Sequence, residues 1–126
     1  MNEQYLHSEI TQKVIGCAYE VHRFLGCGFQ EIIYQRALAL ELEKARLSFA
    51  REQEIPIYYK EYKEEIGTRR ADFVVENKVL VELKAIETLD NLQVVQILNY
   101  LRIYGFEVGL LINFGNTTLG LKRMVL

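Results

Sequence analysis

Cysteine, proline and histidine are scarce in this chain of 126 residues, which has two, one and two of them. Two cysteines, Cys17 and Cys27, cannot frame a disulfide-rich secreted scaffold, and they lack the spacing of a metal-binding pair. The lone proline, Pro56, and the absence of any Pro/Gly-rich linker leave nothing to divide the chain, so residues 1–126 are read as one domain. Neither sign of charge is in large excess. Fifteen Lys and Arg against seventeen Asp and Glu give a net charge of -2, which excludes a generally basic nucleic-acid coat but not a local basic groove. Long apolar runs are missing as well. VGLLI at 108–112 falls far short of the about 20 residues that cross a bilayer, so no membrane partner is expected. The start, MNEQYLHSEI, lacks the basic-then-apolar pattern of a secretory leader, and a reducing cytoplasm is the expected location.

What remains is an ordinary soluble balance, half hydrophobic and a quarter charged. Residues 8–25 predict a helix, with Ser8 as N-cap and Ile10, Val14, Cys17, Ala18, Val21, Phe24 and Leu25 at helical spacing; Gly26 and Gly28 end it. A second helix is predicted from about Gln30 to Arg46, with Ile33, Ala37, Leu38 and Leu42 inward. FAREQEIPIYY reads as an edge strand because of its proline. KEYKEEIG reads as a turn or strand end, and RRADFVVE and KVLVELKA as two strands around a tight Glu76-Asn77-Lys78 turn. Asp90 and Gln93 suit a capping box opening a third helix, whose apolar face is predicted as Leu92, Val95, Leu98 and Leu101. FEVGLLINF is then a buried strand and LGLKRMVL a last edge strand. The predicted fold class is α/β, with the order ααβββαβ(β) around one mixed sheet.

Three charged residues stand out on the hairpin. Glu82 and Lys84 are two apart and share a strand face, and the turn at Asn77 returns Asp72 beside them. Charge inside a buried strand is costly unless paired or metal-bound. A hard divalent cation, Mg²⁺ or Mn²⁺, takes oxygen ligands of this kind, with Asp72, Glu82 and the Leu83 carbonyl as a partial shell. Such an ion activates water and polarises a phosphodiester, and Lys84 would orient or deprotonate the water or stabilise phosphate charge. The blander reading is an acid–lysine ion pair on a solvated strand.

The pattern D72-(x9)-E82-L83-K84, with helices before and after, resembles the PD-(D/E)XK nuclease superfamily, although Ala71 replaces the proline of that name. G28-F29-Q30-E31-I32-I33-Y34 is similar to the signature of the GxxExxY protein family. VHRFLGCGFQEIIYQRAL, RRADFVV, VELKA, QILNYL and GLLINFG resemble its blocks in order over residues 8–123. The resemblance implies a restriction-endonuclease-like sheet flanked by helices and a metal-dependent nuclease acting on DNA. It implies Glu31 as a third metal ligand beside Asp72 and Glu82, and Gln96 and Tyr100 as a Q-x-x-x-Y pair bordering the site.

Each of these residues also has a plain structural reading. Glu31 suits a helix first turn. Tyr34, on its face, would contact phosphate or simply pack. Gln96 and Tyr100 would equally mark a helix margin. Arg69 and Arg70 match phosphate geometry but also suit a solvated strand end. His22 and Cys17 read as structural, Cys27 has no evident partner, and the Tyr58-Tyr59-Tyr62 cluster suits either base stacking or strand packing. For the whole chain, the alternative function is a non-catalytic nucleic-acid-binding or regulatory module on the same fold. A symmetric homodimer would give so small a protein two sites and a larger grip on DNA.

Overall fold

The computed structural model describes residues 6–126; the first five residues of the stretch read for a leader lie outside the described residues. The element order is α1 (Ser8–Leu25), α2 (Glu31–Lys44), β1 (Phe49–Tyr58), β2 (Glu65–Val75), β3 (Val79–Lys84), α3 (Asn91–Tyr104), β4 (Val108–Asn113) and β5 (Gly120–Val125). The strands form one five-stranded sheet in the order β1-β2-β3-β4-β5. Every junction is antiparallel except β3–β4, which is parallel. A parallel neighbour needs a crossover, and α3 provides it. The α/β class and element order match the sequence expectation, and β5 forms the predicted edge strand.

The sheet separates two apolar layers. Alternation in β2, β3 and β4 sends Phe73, Val75, Val79, Val81, Leu83, Val108, Leu110 and Ile112 to the side covered by α1 and α2. Val74, Leu80 and Leu111 go to the side covered by α3, against Ile97 and Leu101. Because β3 and β4 are covered on both faces, their sequences read as almost continuous apolar runs. Charge at Glu82, in the middle of this layer, therefore carries an energetic cost.

Several local expectations are corrected. The residue at the α1 cap is His7, not Ser8; Ser8 is already helical and its carbonyl accepts a bond from Thr11 Oγ1. α2 turns Tyr34, Gln35, Leu38, Ala39 and Leu42 inward, leaving Ile33 and Ala37 only half-buried. On α3 the buried positions are Ile97 and Leu101, while Leu92 and Val95 are exposed. The seat for that face is Gly109 on β4. A Cβ there would lie 3.1 Å from Ile97 Cγ2 and 3.3 Å from Leu101 Cδ2, so glycine lets α3 sit close to the sheet.

Two features of β2 position the site. At one end, Glu76 and Asn77 both have a φ of 53°, and Lys78 N–H bonds Val75 C=O at 3.0 Å, so the tight three-residue turn 76–78 joins Val75 to its partner Val79. At the other, the β2–β3 ladder runs only from Val75↔Val79 to Phe73↔Val81. Beyond Phe73 the two strands part. β2 continues with β1 alone as an exposed two-stranded ribbon carrying Pro56 opposite Thr68.

Candidate functional site

Asp72 lies at the fork where β2 leaves β3. Glu52, opposite it on β1, has a φ of 49°, an uncommon conformation for a residue with a Cβ. The strand alternation breaks at the same level. Phe73 joins the core under α1 and α2, whereas Ala71, two residues away, joins the core under α3. The Asp72 carboxylate consequently enters the gap between the strands. Its Oδ2 accepts the Leu83 backbone N–H at 2.7 Å, replacing the ladder acceptor that the departing β2 no longer supplies, and its Oδ1 accepts Gln35 Nε2 at 3.0 Å. Gln35, on α2, is 4 % exposed, and its Oε1 accepts a bond from Arg51 on β1 at 3.0 Å.

Glu82 faces this carboxylate from the middle of β3. It is buried, and its Oε1 has no hydrogen-bond partner in the structure. Burial, then the negative charge of Asp72 and the hydrogen bond between the two carboxyl groups, push the Glu82 pKa up to about 9, with Arg69 and Lys84 opposing weakly. That shift favours the protonated form of Glu82 at neutral pH in the metal-free protein. Lys84 follows two residues later, half-buried at the strand end. Its carbonyl accepts Phe114 N–H at 2.8 Å, and the loop beyond it is clamped by Asn113, which accepts from Ile86 N–H at 3.0 Å and donates to Ile86 O at 2.9 Å.

Glu31 stands at the rim, in the first turn of α2. Its side chain is exposed overall, yet partial loss of water raises the carboxyl pKa, Asp72 raises it further and Lys84 opposes. It is thus within electrostatic reach of both residues. Among the described residues no group of three or more His, Cys, Asp or Glu side chains is placed to hold a metal ion. The donors present still suit a hard cation. Two carboxyl groups are pressed together, one buried oxygen is unpartnered, and a divalent charge would relieve the repulsion that raises Glu82.

The remaining predicted residues divide. Arg69 lays its guanidinium over the Tyr100 ring at 4.0 Å and acts electrostatically on Glu82, while burial and then Glu82 raise the Tyr100 pKa against Arg69. Tyr100 on α3 thus borders the carboxylate pair. Gln96, one turn earlier, is half-buried, and it is not among the groups that bond Asp72. Arg70 pairs with Glu54, its register partner on β1, at 2.9 Å on the exposed ribbon, in line with the solvated strand-end reading. Tyr34 is corrected. It is fully buried, stacks on Phe114 with centroids 4.6 Å apart, donates its hydroxyl to Gly26 O at 2.6 Å and accepts Phe29 N–H at 3.2 Å. It closes the loop between α1 and α2 and has no surface for nucleic acid. His22 bonds Asn116 O at 2.7 Å, as a structural histidine does. Tyr59 and Tyr62 stack on each other at the exposed tip of the β1–β2 ribbon.

Gln35 and Arg51 escaped the sequence reading. The one signal was Gln35 itself, a polar residue one turn after Glu31 among inward positions of α2.

The chain is thus one five-stranded sheet between two helical layers, with Asp72 and Glu82 meeting where β2 and β3 part. Residues 8–124 match the family described as the PD-(D/E)XK nuclease superfamily, and the chain belongs to it. The solved structure of SSO0001 is similar in fold, with a TM-score of 0.58 and 20 % identity; the match covers 97 % of this chain and 59 % of that one. This chain thus spans little more than half the length of that protein. No curated protein matches. No helix among the described residues is long and apolar enough to cross a membrane.

Proposed function

We propose that this protein is a metal-dependent nuclease that hydrolyses phosphodiester bonds in DNA, and that within the superfamily it belongs to the GxxExxY group. The observation that supports the reading is the buried Glu82 carboxyl, with an unpartnered oxygen, against the half-buried Asp72 and beside Lys84. A buried carboxyl group beside a second one is costly to keep, and a cation site gives a reason for it.

In this reading Asp72 and Glu82 hold Mg²⁺ or Mn²⁺, with Glu31 completing the set from the rim, directly or through water. When bound, the ion lowers the pKa of water and neutralises charge on the phosphate. Asp72 is held at the strand fork, so its carboxylate needs no reorganisation. Glu82 must give up its proton before it serves as a ligand, which couples site filling to pH. Lys84, on the Glu82 side of β3, orients the attacking water and stabilises the phosphorane-like charge. Tyr100 and Gln96 line the α3 border, and Arg69 meets the phosphate backbone from its seat on Tyr100. The reading treats residues 1–126 as one nuclease-like domain working in the cytoplasm, with a homodimer as the arrangement that enlarges the DNA grip.

The test is direct. Purified protein with Mg²⁺ or Mn²⁺ is expected to cut linear, single-stranded or branched DNA, and Lys84→Ala is expected to abolish cutting while circular dichroism stays unchanged. Wild type inert on all of these and on RNA removes the reading. The competing reading, a non-catalytic nucleic-acid-binding or regulatory module, draws on the finding that no three such side chains among the described residues are placed to hold a metal. DNA binding without any calorimetric uptake of Mg²⁺ or Mn²⁺ would select it.

A further inference from the structure

We infer that Gln35 and Arg51 are positioning residues, a relay that aims the Asp72 carboxylate at the cation site and thereby sets cation affinity. The inference rests on the proposed function, because it assigns Asp72 to a cation.

The relay is polarised along its length. Arg51 offers only donors and an ionised Asp72 only acceptors. The Gln35 amide between them can satisfy both in one orientation alone, with Oε1 toward the guanidinium and Nε2 toward the carboxylate, as found at 3.0 Å on each side. Gln35 is 4 % exposed, so bulk water is poorly placed to substitute for either partner. The geometry leaves room for a ligand. An ionised carboxylate has about four lone-pair sites. Gln35 takes one on Oδ1 and the Leu83 N–H takes one on Oδ2. One bond to each oxygen fixes the carboxylate plane, and Glu82 hydrogen-bonds the same carboxylate from β3 through the proton that a cation would replace. Without Gln35, Oδ1 would lose the bond that ties it to α2, and the group would be held from β3 alone. The relay also joins α2 to β1 and β2 across 16 and 37 residues of sequence, so the carboxylate is aimed only when all three elements are in place.

Partners that orient metal ligands commonly matter by 10–100-fold in affinity. The experiment is Mn²⁺ titration by calorimetry of the metal-free protein, with circular dichroism and melting as the check on fold. Gln35→Met, which keeps the length and apolar contacts, is expected to weaken Mn²⁺ binding about tenfold or more. Arg51→Met is expected to weaken it less, and Arg51→Lys to restore most of that loss. The double variant Gln35→Met with Arg51→Met is expected to bind no worse than Gln35→Met alone, because both changes break one chain of bonds. A purely structural role would lower the melting temperature and leave the Mn²⁺ affinity unchanged. The inference is overturned by a folded Gln35→Met that binds Mn²⁺ as tightly as wild type, or by independent, additive effects of the two substitutions. If Gln35→Met does not fold, the Arg51 variants decide, since Arg51 is exposed; unaltered affinity in Arg51→Met then sinks the relay. Wild type that takes up no Mn²⁺ overturns the proposed cation site and this inference together, a result distinct from wild-type uptake that Gln35→Met leaves intact.

Discussion

Glu82 is the residue on which the chemistry and the stability meet. Its pKa is raised from 4.5 to about 9 in the folded protein, chiefly by burial. Below the unfolded value both states hold the proton and the full contribution to stability is present. As pH climbs, the unfolded chain releases a proton that the folded chain keeps, so stability falls, and the loss is complete only above the folded pKa. The metal-free protein should therefore melt at progressively lower temperature from about pH 5 to about pH 9. Glu82→Gln should flatten that slope and melt above wild type at the alkaline end; equal slopes in the two proteins would contradict the assignment. The nearness of Asp72, Glu82 and Lys84 was legible in sequence because a three-residue turn and strand alternation act over a few residues. The Arg51–Gln35 pair was not, because its bonds span three elements. Tyr34 was misread for a related reason. The helical spacing puts it near Glu31, but only the fold of the Gly26–Phe29 loop shows that its hydroxyl is consumed at home.

Among the elements, α3 carries the clearest local signals and the clearest misreading. The capping box is present in full. Asp90 Oδ1 accepts Leu92 N–H at 2.9 Å, and Gln93 Oε1 accepts Asp90 N–H at 2.7 Å. Gly105 closes the other end with a φ of 76°, where a Cβ would be strained. Asp90→Ala should cost about 1 kcal/mol of stability, read from denaturant melts, and leave the position of Tyr100 otherwise intact. The inward face was misphased because Leu92, Val95, Leu98 and Leu101 form one apolar stripe and Val94, Ile97, Leu98 and Leu101 form another. Helical periodicity does not choose between two stripes one residue apart. Gly109 chooses, since only the second stripe fits the recess its missing side chain leaves in β4. The exposed Leu92 and Val95 are what the first stripe becomes.

For the whole molecule, the sheet is the frame that turns local features into a site. A cation bound only by the folded state stabilises it by mass action, about 2.7 kcal/mol at a hundredfold excess over the dissociation constant. Mg²⁺ or Mn²⁺ should therefore raise the melting temperature at neutral pH, chelator should reverse the shift, and Asp72→Asn should abolish it. A shift that survives Asp72→Asn would place the cation elsewhere. The order of helices and strands, the hairpin turn, the α3 cap and the shared strand face of Glu82 and Lys84 followed from the sequence by itself. Each depends on neighbours within a turn of helix or a few strand residues, where backbone geometry leaves little choice. The strand fork at Asp72, the burial that protonates Glu82, the withdrawal of Tyr34 into the core and the amide bridge from Arg51 were decided by tertiary structure alone. Those depend on which layer covers which face, and on hydrogen bonds between segments that the chain order keeps far apart.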